Sequence, residues 1–255
     1  LKALAGGLGL DLFSTPFDET AVDFLDQMNV PAYKIASFEI VDLALIRKVA
    51  QTGKPVILST GLATRSEIGE AVDILRQHRS PMVLLKCTSA YPAVPEKMNL
   101  CTIPDLAEVF RVPVGLSDHT MDVAVPVTAV ALGACVIEKH LTLSRAVPGP
   151  DSAFSLEPKE FRGMVEAVRT AESALGEVHY GVSGHEPERR SFRRSLFVVR
   201  DMKRGETFAS ETVRSIRPGH GLSARHLEDI LGRAASEDIK RGTPLTWDLV
   251  LGSQR

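Results

Sequence analysis

Six short apolar segments, each running into a hydroxyl, amine or imidazole side chain, constrain this chain more than any other feature. They are Leu10–Thr15, Ala32–Ser37, Pro55–Thr60, Met82–Thr88, Val112–Ser117 and Cys135–His140. Apolar runs of this length are what strands buried on both faces look like. Helical patterns lie between them, over Thr20–Met28 and Val41–Ala50. A third opens with the capping box Thr64-Arg65-Ser66-Glu67, and a fourth starts at Pro158 and is stopped by Gly176. Such alternation predicts a parallel sheet covered by helices. A (β/α) barrel fits best, because its active site gathers at the C-terminal ends of the strands, where the polar residues fall here. A doubly wound open sheet is the alternative. No glycine-rich fingerprint follows a strand, since Gly6-Gly7-Leu8-Gly9 precedes one, and no P-loop occurs.

A barrel of this type needs eight strands. Six segments therefore predict, for residues 1–178, a (β/α)8 TIM-type barrel lacking its first two strands in this chain, with Leu1–Leu8 reading as the tail of a helix. Residues 179–194 are polar and read as a linker; Arg189, Arg190, Arg193 and Arg194 suit a solvated stretch better than a phosphate site. From Ser195 the texture changes to short strands and glycine turns. Asp201-Met-Lys-Arg-Gly205 recurs as Asp238-Ile-Lys-Arg-Gly242, so 195–255 reads as a small β-rich domain with an internal echo.

Bulk properties narrow the function. A net charge of −2 gives no reason to expect nucleic acid or an anionic membrane as partner. The longest apolar stretch, Val123–Ile137, is interrupted by Pro126, Thr128 and Gly133 and is too short to span a bilayer. Leu1–Leu10 has neither a basic leader nor a cleavage site. Cys87, Cys101 and Cys135 are odd in number and sit in or near apolar runs, which suits buried free thiols in a reducing cytoplasm.

The strand ends carry the chemistry. Alternation places Ser117 and His119 on one face of their strand, and Glu138 and His140 on one face of the next. Two imidazoles at neighbouring strand ends can clamp a metal, or can be a hydrogen-bonded structural pair. Lys34 can hold a phosphate, form a Schiff base if desolvated, or be a surface lysine. Glu39 is an acid/base or a helix cap. Ser59-Thr60-Gly61 and Thr88-Ser89 offer hydroxyls and backbone N–H groups near helix starts, where they either cradle anions or cap helices. Tyr91 can wall a substrate, and Asp151 can accept from sugar hydroxyls or simply close a turn. Arg217 lies in the rigid loop Arg217-Pro-Gly-His-Gly221, where an arginine is usually structural or solvated.

Taken in order, Ser14-Thr-Pro-Phe-Asp18, Tyr33-Lys-Ile-Ala-Ser37, Leu58-Ser-Thr-Gly61, Lys86-Cys-Thr-Ser-Ala-Tyr-Pro92, Gly115-Leu-Ser-Asp-His-Thr120, Ile137-Glu-Lys-His140 and Gly149-Pro-Asp151 resemble the sialic acid synthase family. The last 60 or so residues resemble its antifreeze-like (β-clip) domain. Within the family, Gly149–Pro158 and Lys86–Tyr91 look most like the pseudaminic acid synthase branch. The resemblance implies condensation of phosphoenolpyruvate with an amino-sugar aldehyde, a diacetamido-trideoxy hexose in that branch, with release of phosphate. It implies that His119 and His140 hold a divalent metal, typically Mn2+, and that Thr15, Lys34, Ser37, Ser59, Ser89 and Ser117 bind phosphoenolpyruvate. Glu39 and Tyr91 would act on or orient the sugar, and Asp151 would bind its hydroxyls. Arg217 would reach the neighbour's site in a domain-swapped homodimer. N-acetylneuraminate or legionaminate synthesis, a Schiff-base aldolase built on Lys34, and a non-catalytic sugar-binding scaffold remain open as alternatives.

Overall fold

The structure is a computed structural model that describes residues 1–181 and 191–252. The chain divides into two compact units, Leu1–Glu177 and Val178–Arg255. The predicted linker positions at 182–190, including Arg189 and Arg190, lie outside the described residues.

In the first unit, helices α1 (Lys2–Gly7) and α2 (Glu19–Gln27) precede strand β1 (Tyr33–Ile35). There follow α3 (Leu43–Ala50), β2 (Val56–Ser59), α4 (Arg65–Gln77), β3 (Met82–Cys87), α5 (Thr102–Phe110), β4 (Val114–Asp118), α6 (Ala124–Ala131), β5 (Ile137–Lys139) and α7 (Pro158–Leu175). The five strands are parallel and pair in chain order, β1 to β5, in a sheet curled like part of a barrel wall. Buried aliphatic side chains on the strands, among them Ile35, Leu58, Leu84 and Leu116, pack against Ile46, Val49, Val72 and Leu75 of the helices.

The first predicted segment is not a strand. Leu10–Thr15 contributes one bridging residue, Ser14, whose carbonyl accepts from Lys34 N at 3.1 Å. Its apolar side chains are not taken into the core: Leu10 is 62% exposed and Phe13 38%. Without burial an apolar run has nothing to hold it extended. Conversely, α5 and α6 form where no amphipathic pattern was read. Helix α6 is apolar all round, AVPVTAVA, so its sequence has no polar face to reveal its period.

The caps match the sequence. Thr64 and Glu67 form a reciprocal capping box at α4, Asp18 and Asp42 cap α2 and α3, and Glu157 with Glu160 closes the box at α7 behind Pro158. Gly115 is fixed by space. A Cβ there would lie 2.4 Å from the carbonyl of Val136 and 2.7 Å from Leu85, so β4 can approach β5 only with glycine at this position.

The second unit pairs strands β6 (Ser195–Val198) and β7 (Val213–Ile216) antiparallel and adds a one-turn helix, α8 (Leu227–Ile230). Its core is built from Leu196, Val198, Met202, Phe208, Val213, Ile239, Leu245 and Val250. The sequence echo is a structural one. Met202 and Ile239 exchange both backbone hydrogen bonds, at 2.8 and 2.9 Å. Lys203 reaches Asp238 at 2.7 Å, and Lys240 reaches Asp201 at 2.9 Å. Phe197 bridges Pro244 as Ala234 bridges Thr207, so the two halves of the unit face each other about a local pseudo-twofold axis. Among the described residues no helix is long and apolar enough to cross a membrane.

Candidate functional site

The C-terminal ends of β1 to β5 converge on a cavity of about 330 Å³. Lys34 enters it from β1, between Tyr33 and Ile35, which are fully buried. Lys34 is only 8% exposed, and a buried ammonium is costly without partners. Lys34 donates to Ser59 Oγ and to the carbonyl of Ile35, both at 2.8 Å, and stands 3.8 Å from Glu138 Oε2. Burial pushes its pKa below the ordinary lysine value, against the pull of the Glu138 carboxylate.

On β4 and β5, Ser117 lies opposite Glu138 and Asp118 opposite Lys139. Ser117 Oγ donates to Glu138 Oε1 at 2.6 Å. As alternation predicts, Ser117 and His119 both line the cavity, as do Glu138 and His140. His119 is 5% exposed, and its Nδ1 lies 3.0 Å from the carbonyl of Thr88. A carbonyl only accepts, so Nδ1 carries the proton and Nε2 is the nitrogen that keeps its lone pair. Burial pushes the His119 pKa down, but bonds with Cys87 and Thr88 outweigh it and leave the imidazole raised. Burial and the charge of His119 hold His140 below the ordinary value.

Four rings cluster at the mouth. Tyr91 lies 4.2 Å from His119 between centroids, His119 lies 5.3 Å from His140, and Phe154 meets His140 edge-on at 5.1 Å and Tyr91 at 5.2 Å. Beside them Gly61 donates its N–H to Ser37 Oγ at 3.1 Å. A Cβ on Gly61 would come within 2.4 Å of Ser89 Oγ and 2.6 Å of Ser37 Oγ.

Of the residues predicted from sequence, Thr15, Lys34, Ser37, Ser59, Tyr91, Ser117, His119 and His140 line this one cavity. The other four stand apart from its lining. Ser89 lies just behind, 3.9 Å from Cys87 Sγ. Glu39 has Oε2 buried with no hydrogen-bond partner. Asp151 is exposed, with Oδ2 3.7 Å from His140 Nδ1. Arg217 is exposed in the second unit, on a loop pinned by Ser195 Oγ, which donates to the Pro218 carbonyl at 2.7 Å and accepts from Gly221 N at 2.9 Å.

Besides Ala36, three lining residues with side-chain chemistry lie outside the predicted set: Cys87, Glu138 and Lys139. Glu138 could have been found, because it shares a strand face with His140. Cys87 was hidden in an apolar run. Burial pushes its thiol up, but bonds from His119 and Ser37 outweigh that and bring the pKa to about 7. The expectation of three buried thiols fails for Cys101 and Cys135, which are exposed.

The donor set decides what kind of metal site this could be. Among the described residues, no group of three or more His, Cys, Asp or Glu side chains is arranged to hold an ion, so a closed protein cage of the structural-zinc kind does not fit. Two neighbouring imidazoles, one whose Nε2 keeps its lone pair, fit an open site whose remaining ligands are oxygens of substrate and water.

Residues 1–180 match the NeuB family and residues 193–251 match the SAF domain. The chain is 45% identical over 250 residues to a pseudaminic acid synthase of Helicobacter pylori, covering 97% of this chain and 74% of that protein. It is 47% identical over 238 residues to a pseudaminic acid synthase of Campylobacter jejuni, covering 93% and 69%. Among solved structures it is similar to the spore coat polysaccharide biosynthesis protein spsE of Bacillus subtilis, with a TM-score of 0.66 and 33% identity, covering 99% of this chain and 76% of that one. The fold, the cavity at the strand ends and these likenesses define a sugar-acid synthase with a barrel-type catalytic unit and a SAF domain. The chain belongs to the NeuB family.

Proposed function

We propose that the protein condenses phosphoenolpyruvate with a diacetamido-trideoxy hexose to form pseudaminic acid and phosphate. The observation that carries this reading is the meeting, in one cavity, of a buried ammonium and several hydroxyls with a pair of imidazoles. The first set suits a small, multiply charged anion and the second a metal beside it. The named relatives at 45% and 47% identity support the choice of sugar.

Lys34, held by Ser59, is the fixed cation that the carboxylate and phosphate of phosphoenolpyruvate would meet, with Thr15, Ser37, Ser89 and Ser117 as hydroxyl donors. The new bond joins C3 of phosphoenolpyruvate to the aldehyde carbon. Water adds at C2 and phosphate leaves. Among the described residues Glu138 is the one carboxylate lining the cavity, and in this reading it takes the proton of that water. Its Oε1 already accepts from Ser117, and its Oε2 stands 3.8 Å from Lys34 Nζ. His119 Nε2 and His140 would hold a divalent metal, Mn2+ in our reading. Such an ion supplies Lewis-acid polarisation of the aldehyde oxygen. Tyr91 and Asp151, beside His140, would orient the sugar with Glu39. Arg217, on its pinned loop, would complete the site of a second copy in a domain-swapped homodimer, and the setting would be the cytoplasm.

The test is a choice of substrates. The protein, Mn2+ and phosphoenolpyruvate are offered the pseudaminate-series hexose, its legionaminate-series epimer or N-acetylmannosamine, and the products are weighed by mass spectrometry. A nonulosonic acid from the first sugar alone is expected. Turnover of either other sugar in its place would overturn the assignment.

A further inference from the structure

Each of the two candidate metal-binding histidines is immediately preceded in the chain by one member of a buried ion pair that the reaction as proposed gives no role. Asp118 Oδ2 and Lys139 Nζ are 2.6 Å apart, with side chains 0% and 1% exposed. The two residues face each other in the register of β4 and β5, each immediately before a histidine. Their contacts continue into the next residue of β4's exit. Asp118 Oδ1 accepts from Thr120 N at 2.9 Å, and Lys139 Nζ donates to the Thr120 carbonyl. One carboxylate and one amine thus brace the backbone on both sides of His119 and tie it to the residue that precedes His140.

An ion pair this deep is a poor way to stabilise a fold, because the cost of desolvating two charges can exceed their attraction. Two aliphatic side chains would serve cohesion as well or better. What a buried pair can do that aliphatic packing cannot is fix one spacing and one orientation, since its hydrogen bonds are directional. That spacing matters for His119 and His140, whose ring centroids sit 5.3 Å apart.

We infer that Asp118 and Lys139 are positioning residues for a divalent metal: their buried pair sets the separation of His119 and His140 and so the affinity of the site. This rests on the metal reading proposed above. The device resembles outer groups that orient a ligating imidazole, but here the pair acts through backbone on two strands and touches neither ring's nitrogen.

The test titrates the protein with Mn2+ alone and follows the six-line electron paramagnetic resonance signal of the free ion. The variants are the double change Asp118→Leu with Lys139→Met, and the milder Asp118→Asn, which keeps an acceptor for Thr120 N. The expected result is a dissociation constant raised roughly 10- to 100-fold in a folded variant, the usual effect of losing an outer support. The double variant is expected to melt within a few degrees of the parent or above it. Unchanged affinity in a folded variant would overturn the inference. So would failure of the double variant to fold combined with normal binding by Asp118→Asn, because the pair would then serve the fold alone. A parent protein that takes up no Mn2+ would remove the metal reading itself, and this inference with it.

Discussion

Ser117 and Glu138 face each other across β4 and β5, joined by a 2.6 Å hydrogen bond that leaves the carboxylate between a hydroxyl and the ammonium of Lys34. Around this contact the cavity divides into a side with Lys34, Ser37 and Ser59, proposed above to meet the anion, and a side with His119 and His140. The account stands on the two sides working as one site.

The carboxylate is assigned to proton removal, so Glu138→Gln keeps the shape and hydrogen-bonding reach of the side chain while removing its basicity. We expect kcat to fall by about 10²- to 10⁴-fold, with the KM for phosphoenolpyruvate changed far less. Steady-state kinetics at saturating sugar check this. A variant that loses affinity and keeps its turnover would make Glu138 a binding group instead.

Lys34 is assigned to charge recognition. Lys34→Met should raise the KM for phosphoenolpyruvate by at least about tenfold, roughly the 1.4 kcal/mol of a modest charged contact. Borohydride added during turnover, or with pyruvate, should leave no adduct on this residue. A covalent adduct found there by peptide mapping would favour a Schiff-base aldolase.

Gly61 and Gly115 separate the site from the scaffold. At Gly115 an added methyl meets the Val136 carbonyl, so Gly115→Ala should lower stability by more than about 2 kcal/mol, read by urea unfolding. At Gly61 the neighbours are the hydroxyls of Ser37 and Ser89, which can turn aside. Gly61→Ala should therefore cost little stability and raise the KM for phosphoenolpyruvate. Equal stability losses would show that this corner is scaffold.

Cys87 offers a pH readout of the cavity. With its pKa at about 7, the thiolate grows in as pH rises through neutrality, and alkylation of metal-free protein should speed up with a midpoint near 7. His119→Ala removes the largest of the interactions that lower it, so the midpoint should move up. Peptide mapping distinguishes Cys87 from the exposed Cys101 and Cys135. A midpoint unmoved by that change would mean that His119 does not hold the thiol.

Much of this is legible in the sequence alone. Short apolar runs located five of the strands within a residue or two, because a strand covered on both faces must be apolar along its whole length. The same signal misled at Leu10–Thr15, where the side chains found no core. Helix α6 was illegible for the opposite reason, being apolar on every side. Strand-end histidines, lysine and serines were readable as a site because polar groups after apolar runs are conspicuous. Glu138 was overshadowed by His140 beside it, and Cys87 looked like core. The pairing of Asp118 with Lys139 depends on register, which no local pattern in either segment states.

The central claim is that a metal held by His119 and His140 works on phosphoenolpyruvate bound at Lys34. The most direct test measures phosphate released from phosphoenolpyruvate in the presence of the diacetamido-trideoxy hexose, with Mn2+, with EDTA, and in His119→Ala. The account predicts release with Mn2+ that needs the sugar, stops with EDTA, and falls by about 10³-fold in the variant, near 4 kcal/mol of transition-state stabilisation. Release that persists undiminished in EDTA, or full turnover by His119→Ala in Mn2+, would contradict it.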